Sequence, residues 1–313
     1  MPDSPHIVVF GSANIDMVVK VPHLPRPGET VRGGTFKRVQ GGKGANQAVA
    51  ASRAGGRVTF VAAVGADLLG QSAIAAYLGE NIDITYVYQI EQHPTGVALI
   101  NVSEDGENAI SVAPGANNEL SPERIAQAVD ALEGAKMALV QLEVPYPSVQ
   151  AAVALAHAQG VPVLLNPAPA RPLDPETLAK VHILVVNRIE AEMLSGHAPV
   201  ASAADAAAAA RLLRAQGPHI VIVTLGTEGT YVLSEEEEAL LPAFLVTAVD
   251  STAAGDVFCG SLSVALSRDL PLMEAVRFAS AASALSVTKL GAQPSAPERT
   301  AIHAFLERQA EKE

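Results

Sequence analysis

The chain has 313 residues, 49% of them hydrophobic, and a formal charge of −12 at pH 7. That charge argues against nucleic acid as a main partner, since a polyanion calls for a basic surface, although a few local donors suffice for a nucleotide. No stretch approaches the roughly 20 apolar residues of a membrane span, and the single cysteine, Cys259, excludes a disulfide framework and fits a reducing, cytoplasmic setting.

The N-terminal MPDSPHIVVFGS has no basic segment leading into an apolar one, so it reads as a strand entering a turn and not as a signal peptide. Apolar runs of strand length recur at 6–10, 58–64, 137–142, 161–166, 182–187 and 219–224. Several are unbroken and rich in Val, Ile and Leu, as in parallel strands buried on both faces. Helical stretches lie between most of them, at 45–54, 68–78, 121–132, 149–159 and 201–216, and the chain from 254 onward reads as mostly helical. This alternation predicts a three-layer α/β/α fold with a mostly parallel central sheet. Two stretches break it. Residues 15–39 alternate apolar and polar, and residues 95–113 read as a hairpin turning at Asp105-Gly106. A small antiparallel sheet, formed by about 16–40 and 95–113 and free to cover a site, is the expectation; edge strands on the main sheet are the alternative. Such a sheet is also a natural dimer contact. No linker separates a second domain, so 1–313 reads as one domain. The run Glu235–Glu238 reads as a solvated hairpin tip.

The segment DSTAAGD (250–256) carries the most chemistry. It places Ala253, Ala254 and Gly255 at the start of a helix and Asp256 in the first turn. A helix start attracts anions through its unpaired N–H groups and its dipole. An anion pocket beside a carboxylate base is what phosphoryl transfer to a hydroxyl needs. The second signal is GGKGANQ (41–47), which matches neither the P-loop nor the dinucleotide glycine pattern. It is a Gly-rich turn feeding a helix, with Lys43 and Asn46 offering a cation and an amide. Asn14 and Asp16 after the first strand suit the hydroxyls of a polyol. Glu143 and Asn187 each end a strand, where ligands collect in open α/β sheets. Asn187 and Glu190 are spaced either as a helix capping box or to address hydrated Mg2+. TLGTEGT (224–230) reads as a nucleotide-facing turn or a plain hairpin turn. Cys259 reads as a packed core thiol, and the scattered histidines show no ligand spacing.

Gly41-Gly42-Lys43-Gly44 early in the chain and Asp250…Gly255-Asp256 late resemble the two signatures of the ribokinase-like carbohydrate kinases. Asn187-Arg188-Ile189-Glu190 resembles the family's N-x-x-E motif. LNPAPAR (165–171), the 95–117 region and GAQPS (291–295) are similar to its ribose-phosphorylating branch, and the likeness spans about residues 6–310. The resemblance implies ATP-dependent phosphorylation of D-ribose at the 5-hydroxyl, by a homodimer joined through the lid sheet. It implies that Asn14, Asp16, Gly42, Lys43, Asn46 and Glu143 hold the sugar, with Asp256 as the catalytic base. Asn187, Thr224, Gly226, Thr227, Gly229, Ala254, Gly255 and Ser280 would lie at the nucleotide, and Ala253, Ala254 and Gly255 would form the anion hole. Mg2+ would be reached from Glu190 and Asn187 through water. K+ would be held by Asp250, Thr252, Ser286, Lys289, Gly291 and Ser295, several through backbone carbonyls. Two departures stand out: Ala253 replaces a common Gly, and Arg188 and Ile189 replace an acidic residue and a Thr. Fructose, a 2-keto-3-deoxy sugar acid or a nucleoside are alternative substrates within the family. A dinucleotide oxidoreductase lacks its glycine fingerprint here, and a non-catalytic sugar-binding module would have lost Asp256.

Overall fold

The six apolar runs become strands of one sheet, and their alternation shows how it is buried. In β1 (His6–Phe10), Ile7 and Val9 point into one hydrophobic cluster while Val8 and Phe10 point into another. A strand covered on both faces needs apolar side chains at every position, hence the unbroken runs. The computed structural model describes residues 4–311, so the first three residues of the N-terminal stretch read above lie outside it.

After β1 come β2 (Asn14–Val21), β3 (Thr35–Gly41), α1 (Lys43–Arg53), β4 (Arg57–Gly65), α2 (Leu68–Gly79) and β5 (Asp83–Ile90). The hairpin β6 (Gly96–Ser103) and β7 (Asn108–Ala113) leads to α3 (Pro122–Gln127) and β8 (Met137–Gln141). The chain then winds through α4 (Tyr146–Ala158), β9 (Val163–Asn166), α5 (Pro175–Leu178), β10 (Ile183–Asn187), α6 (Arg188–Ser195), α7 (Ala203–Arg214) and β11 (Ile220–Thr224). It closes with β12 (Thr230–Leu233), β13 (Glu238–Leu241), α8 (Ala254–Leu266), α9 (Leu272–Ser286) and α10 (Arg299–Ala310).

The main sheet has the order β13-β12-β11-β10-β9-β8-β1-β4-β5, and only β12 runs against the others, antiparallel to both β11 and β13. One core cluster packs α1, α2, α8, α9 and α10 on one face; the other packs α3 to α7 on the opposite face. This is the expected three-layer α/β/α fold. From β1 the chain builds outward to β4 and β5, then returns to build from β8 towards β11 on the other side. The reversal opens a crevice beyond the carboxyl ends of β1 and β8, where open α/β sheets bind ligands. Glu235 to Glu237 form the exposed turn between β12 and β13 and Glu238 opens β13, in line with the hairpin tip that the charge predicts.

The two interrupting stretches pair with each other in a second sheet, β3-β2-β6-β7. The sheet is mixed and not purely antiparallel, because β2 and β6 run parallel. Its hairpin turns where Asp105-Gly106 predicts, with Gly106 at φ 90°. Register fixes its faces. Asp16 pairs with Ala98, which pairs with Val112, and Val18 pairs with Ile100, which pairs with Ile110. These side chains share one face with Asp16. Phe36, Leu99, Ile110 and Val112 are all more than half exposed.

The glycines of the early turn have packing reasons of their own. Gly42 caps α1 at φ 87°, a conformation that glycine adopts without strain. Gly44 lies so close to β1 that an added Cβ would come within 2.6 Å of the Gly11 carbonyl carbon. An alanine in a helix gains roughly 1 kcal/mol over glycine, but overpacking against backbone costs about 1–3 kcal/mol. Backbone cannot rotate away, so the clash wins. Gly44→Ala therefore lowers stability by about 1–2 kcal/mol in urea unfolding; a variant as stable as the parent would contradict this close approach.

Candidate active site

The early and late signatures meet through hydrogen bonds between two helices. Asn46 and Gln47 sit in the first turns of α1, and Asp256 sits in the first turn of α8. Asn46 Nδ2 donates to Asp256 Oδ2 at 3.0 Å, and Gln47 Nε2 donates to Asp256 Oδ1 at 3.1 Å. Asp256 is only 5% exposed, so burial pushes its carboxyl up; Lys43 and the two amides pull the other way. Burial also opposes the charge on Lys43, but Asp256, Glu143 and Glu190 outweigh it, and the ammonium stays firmly protonated. The opposing pulls amount to one cation set among several buried carboxylates.

The crevice at the ends of β1 and β8 is tied across by Glu143. Its Oε2 accepts from Ser12 Oγ at 2.6 Å and from the Lys43 backbone N–H at 2.9 Å. Asn14 and Asp16 lie on β2 itself, so the lid begins inside the site and not after a free turn. Asp16 is buried and accepts no hydrogen bond among the described residues. Its carboxyl lies against Gly41, where an added Cβ would fall 2.3 Å from Asp16 Cγ. Burial, followed by Glu143 and Asp256, pushes Asp16 up to about 6. Asn117 joins both roots of the lid. Its Oδ1 accepts the Ala13 N–H at 2.8 Å, and its Nδ2 donates to the Pro114 carbonyl at 3.0 Å and to Asn14 Oδ1 at 2.7 Å. Backbone groups fix the Asn117 amide, and Asn117 in turn leaves the Asn14 NH2 free for a ligand.

Beside Asp256 lies a cleft of about 170 Å³, lined by Lys43, Asn187, Glu190, Thr224, Ala254 and Gly255 among others. The start of α8 faces it with no side-chain cap. Ala253 holds φ 60° there, which costs an alanine about 1–2 kcal/mol and explains why glycine suits this position. A Cβ on Gly255 would meet nothing within 4 Å, so this glycine answers to open space and not to packing. A larger open groove, about 850 Å³, lies at the opposite ends of the strands around His182 and His219, and holds none of these acids.

Asn187 and Glu190 do form the capping box: Asn187 Oδ1 accepts the Glu190 N–H at 2.9 Å and Glu190 Oε2 accepts the Asn187 N–H at 2.8 Å. One Glu190 oxygen remains for other work, and burial raises this carboxyl too. Arg188 turns away from the cleft, bonding the Leu225 carbonyl and pairing with Glu228 at 2.5 Å. Its departure from the motif is thus a structural clip to the next turn, while Ile189 is exposed. Gly226 and Thr227 sit in the turn between β11 and β12 and do not line the cleft; Gly229 is held by packing against the Leu241 carbonyl. Ser280 on α9 has a buried hydroxyl without a partner. Asp250 Oδ2 accepts the Gly291 N–H at 2.8 Å and Oδ1 accepts the Thr252 N–H at 2.9 Å, while the Val287 carbonyl accepts the Asp250 N–H at 3.1 Å. The 250–252 and 286–291 segments therefore adjoin, and Lys289 donates its N–H to the Ser286 carbonyl at 3.0 Å. Ser295 is buried, with its hydroxyl on the Ala292 carbonyl at 2.7 Å. Cys259 is a buried core thiol, raised well above its usual range by burial, then Asp256 and Glu190.

Comparison with known proteins agrees with this geometry. The profile described as pfkB family carbohydrate kinase matches residues 4–299. The chain belongs to the pfkB family of carbohydrate kinases. It is 41% identical to the ribokinase of Haemophilus influenzae, covering 96% of this chain and 98% of the relative. It is 36% identical to the deoxyribokinase of Salmonella typhimurium, covering 96% of this chain and 98% of that one. Arabidopsis thaliana ribokinase, solved with ribose and ATP, superposes with a TM-score of 0.90 at 32% identity, covering 97% and 99% of the two chains. No helix among the described residues is long and apolar enough to cross a membrane.

Sequence reasoning left Gln47, Asn117, Ser12 and Asn166 without roles. Gln47 stood within the quoted GGKGANQ, but an amide's partners depend on which distant strands face it. Asp16 offers a test of the site's electrostatics. Its folded value of about 6 lies above the ordinary 3.8. The stability of burying it uncharged is therefore present below about pH 4 and lost as pH rises through about 6. Asp16→Asn should stabilise the protein at pH 8 by of the order of 2 kcal/mol in urea unfolding, with the gain vanishing towards pH 4. An equal effect at both pH values would show that Asp16 carries no such burden.

Proposed function

We propose that this carbohydrate kinase transfers the γ-phosphoryl group of ATP to the 5-hydroxyl of D-ribose, giving ribose 5-phosphate and ADP. The observation that carries this reading is Asp256 at an uncapped helix start, held by amides from the helix that also carries Lys43. The likeness to ribokinases over nearly the whole chain supports ribose as the sugar.

The sugar lies between Asp16, Asn14, Lys43, Asn46 and Glu143, with Gly42 allowing close approach. Asp16 has both oxygens free for two neighbouring hydroxyls, and Asn14 offers its NH2. Asp256 takes the 5-hydroxyl proton as the O5–P bond forms and the bond from the γ-phosphorus to the bridging oxygen breaks. General-base help of this kind contributes roughly 10²–10⁴-fold. The N–H groups at the start of α8, on the N-cap Ala253, on Ala254 (bonded to the Ser251 carbonyl at 3.2 Å before ligand arrives) and on Gly255, receive the charge that builds on the phosphoryl oxygens; one such donor is worth about 10²–10³-fold. Asn187, Thr224 and Ser280 flank the nucleotide, with Gly226, Thr227 and Gly229 at its outer edge. The lid face bearing Ala98, Ile100, Ile110 and Val112 excludes water.

Mg2+ would be held through water by the unengaged Glu190 oxygen and by Asn187, and would neutralise phosphate charge when bound. The fit is to a hydrated ion, since no group of three or more His, Cys, Asp or Glu among the described residues could bind a metal. K+ suits the adjoining 250–252 and 286–291 segments, whose donors are oxygens: Asp250, Thr252, Ser286, Lys289 and Gly291 by their carboxylate or backbone, with Ser295, four residues past Gly291, as the further ligand. A second copy of the chain would cover Phe36 and Leu99, which register puts on the lid face opposite Asp16. The deoxyribokinase relative favours a second reading, 2-deoxy-D-ribose as the acceptor.

ADP release measured with ATP and a panel of D-ribose, 2-deoxy-D-ribose, D-fructose and a nucleoside, with K+ or Na+, should give the highest kcat/KM for D-ribose in K+. Preference for another acceptor overturns the ribose assignment, and equal rates in both salts overturn the cation site. Asp256→Asn should cut kcat by at least about 10²-fold with KM for ribose little changed; unaltered turnover removes Asp256 from the role of base.

A further inference from the structure

Gln47 is wholly buried one residue past Asn46, and the reading above gives it no task. All of its polar atoms are engaged. Nε2 donates to Asp256 Oδ1 at 3.1 Å and to Asn166 Oδ1 at 3.2 Å, and Oε1 accepts from Gln141 Nε2 at 2.6 Å. The orientation of an amide is inferred from its partners. Here both ends of the chain of bonds are fixed. Asn166 Nδ2 donates to the Val185 carbonyl at 3.0 Å, a group that can only accept, so Asn166 turns its oxygen towards Gln47. Gln47 must then present its NH2, one hydrogen to Asn166 and the other to Asp256. The arrangement runs from a strand backbone to the carboxylate.

Packing alone does not call for it. Gln47 and Gln141 are fully buried and Asn166 nearly so, and Gln141 Oε1 is left without a partner. Gly11 makes room for that oxygen, since a Cβ there would come within 2.0 Å of it. Burying three amides costs desolvation that an apolar trio of the same shape would avoid.

We propose that Gln47 is a positioning residue for the reaction: braced by Asn166 and Gln141, it fixes the rotation of the Asp256 carboxylate so that the free lone pairs face the acceptor hydroxyl. The proposal rests on the kinase reading with Asp256 as base. The charged and titratable groups facing Asp256 are Lys43 on α1, Glu143 after β8, Asp16 on β2, Glu190 on α6 and Cys259 on α8 itself. All of these stay in place when Gln47 is changed.

The test is the pH profile of kcat at saturating ribose and ATP. Gln47→Met keeps the length of the side chain and removes both donors. One hydrogen bond to a charged group corresponds to roughly a 10- to 100-fold change, so kcat should fall by at least about tenfold, with KM for ribose within about twofold. The acidic limb should move to higher pH, because a carboxylate that loses a donor binds its proton more tightly. Gln141→Met, which unbraces Gln47 from behind, should move kcat and the limb in the same direction by less. Asp256→Asn separates the two ideas. Retained turnover there means that the base assignment has failed. A near-inactive Asp256→Asn alongside a Gln47→Met with an unmoved acidic limb overturns the role of Gln47. If Gln47→Met does not fold, an unmoved limb in Gln141→Met does the same.

Discussion

A carboxylate buried at the start of a helix is costly unless something nearby compensates its charge. Asp256 is compensated almost entirely from one helix, α1, through Lys43, Asn46 and Gln47. That contact welds the beginning of the chain to its last third. It needs α1 and α8 to cross closely, which Gly260 allows, since a Cβ there would come within 2.6 Å of the Gln47 carbonyl oxygen. It also fixes the layout of the candidate site, because the open start of α8 and the glycine-rich turn before α1 must then lie side by side.

The sheet supplies the crevice and the lid supplies its cover, and the two share residues. Ser12 and Glu143 bridge the ends of β1 and β8 at the point where the strand order reverses. Two residues further on, the chain leaves the main sheet as β2 and carries Asn14 and Asp16 with it. Asn117 ties the roots of β2 and β7 together, so the position of Asn14 is coupled to that of the second sheet. Asp16 is a buried acid with no hydrogen bond among the described residues, and burial pushes its carboxyl up to about 6.

Much of this was legible in the order of residues. Unbroken Val/Ile/Leu runs predict two-faced strands, Asp105-Gly106 predicts the lid turn, and Ala253 to Asp256 predict a helix start beside an acid. Strand β5 escapes notice, and β12 and β13 show only through the hairpin turns that flank them. Strand β5 is an edge strand of Tyr, Thr and Asp, and β12 and β13 are four residues each. The three glycines of the early turn invited a ligand explanation, yet Gly44 serves the approach of α1 to β1 and Gly41 makes room for Asp16. Neither contact is local, so no pattern of neighbours could reveal it. The same holds for Gln47, Asn117 and Asn166, whose roles depend on strands far away in the chain. Both readings of Asn187 and Glu190 remain compatible, because the capping box uses only one Glu190 oxygen.

The account stands on Asp256 being ionised while buried, ready to accept a proton. Infrared difference spectroscopy of the ligand-free protein against Asp256→Asn, at pH 7, reads this directly. A carboxylate band lost on substitution is the predicted result. A protonated-carboxyl band lost instead would mean that Lys43 and the α1 amides do not hold the charge, and Asp256 could not be the base.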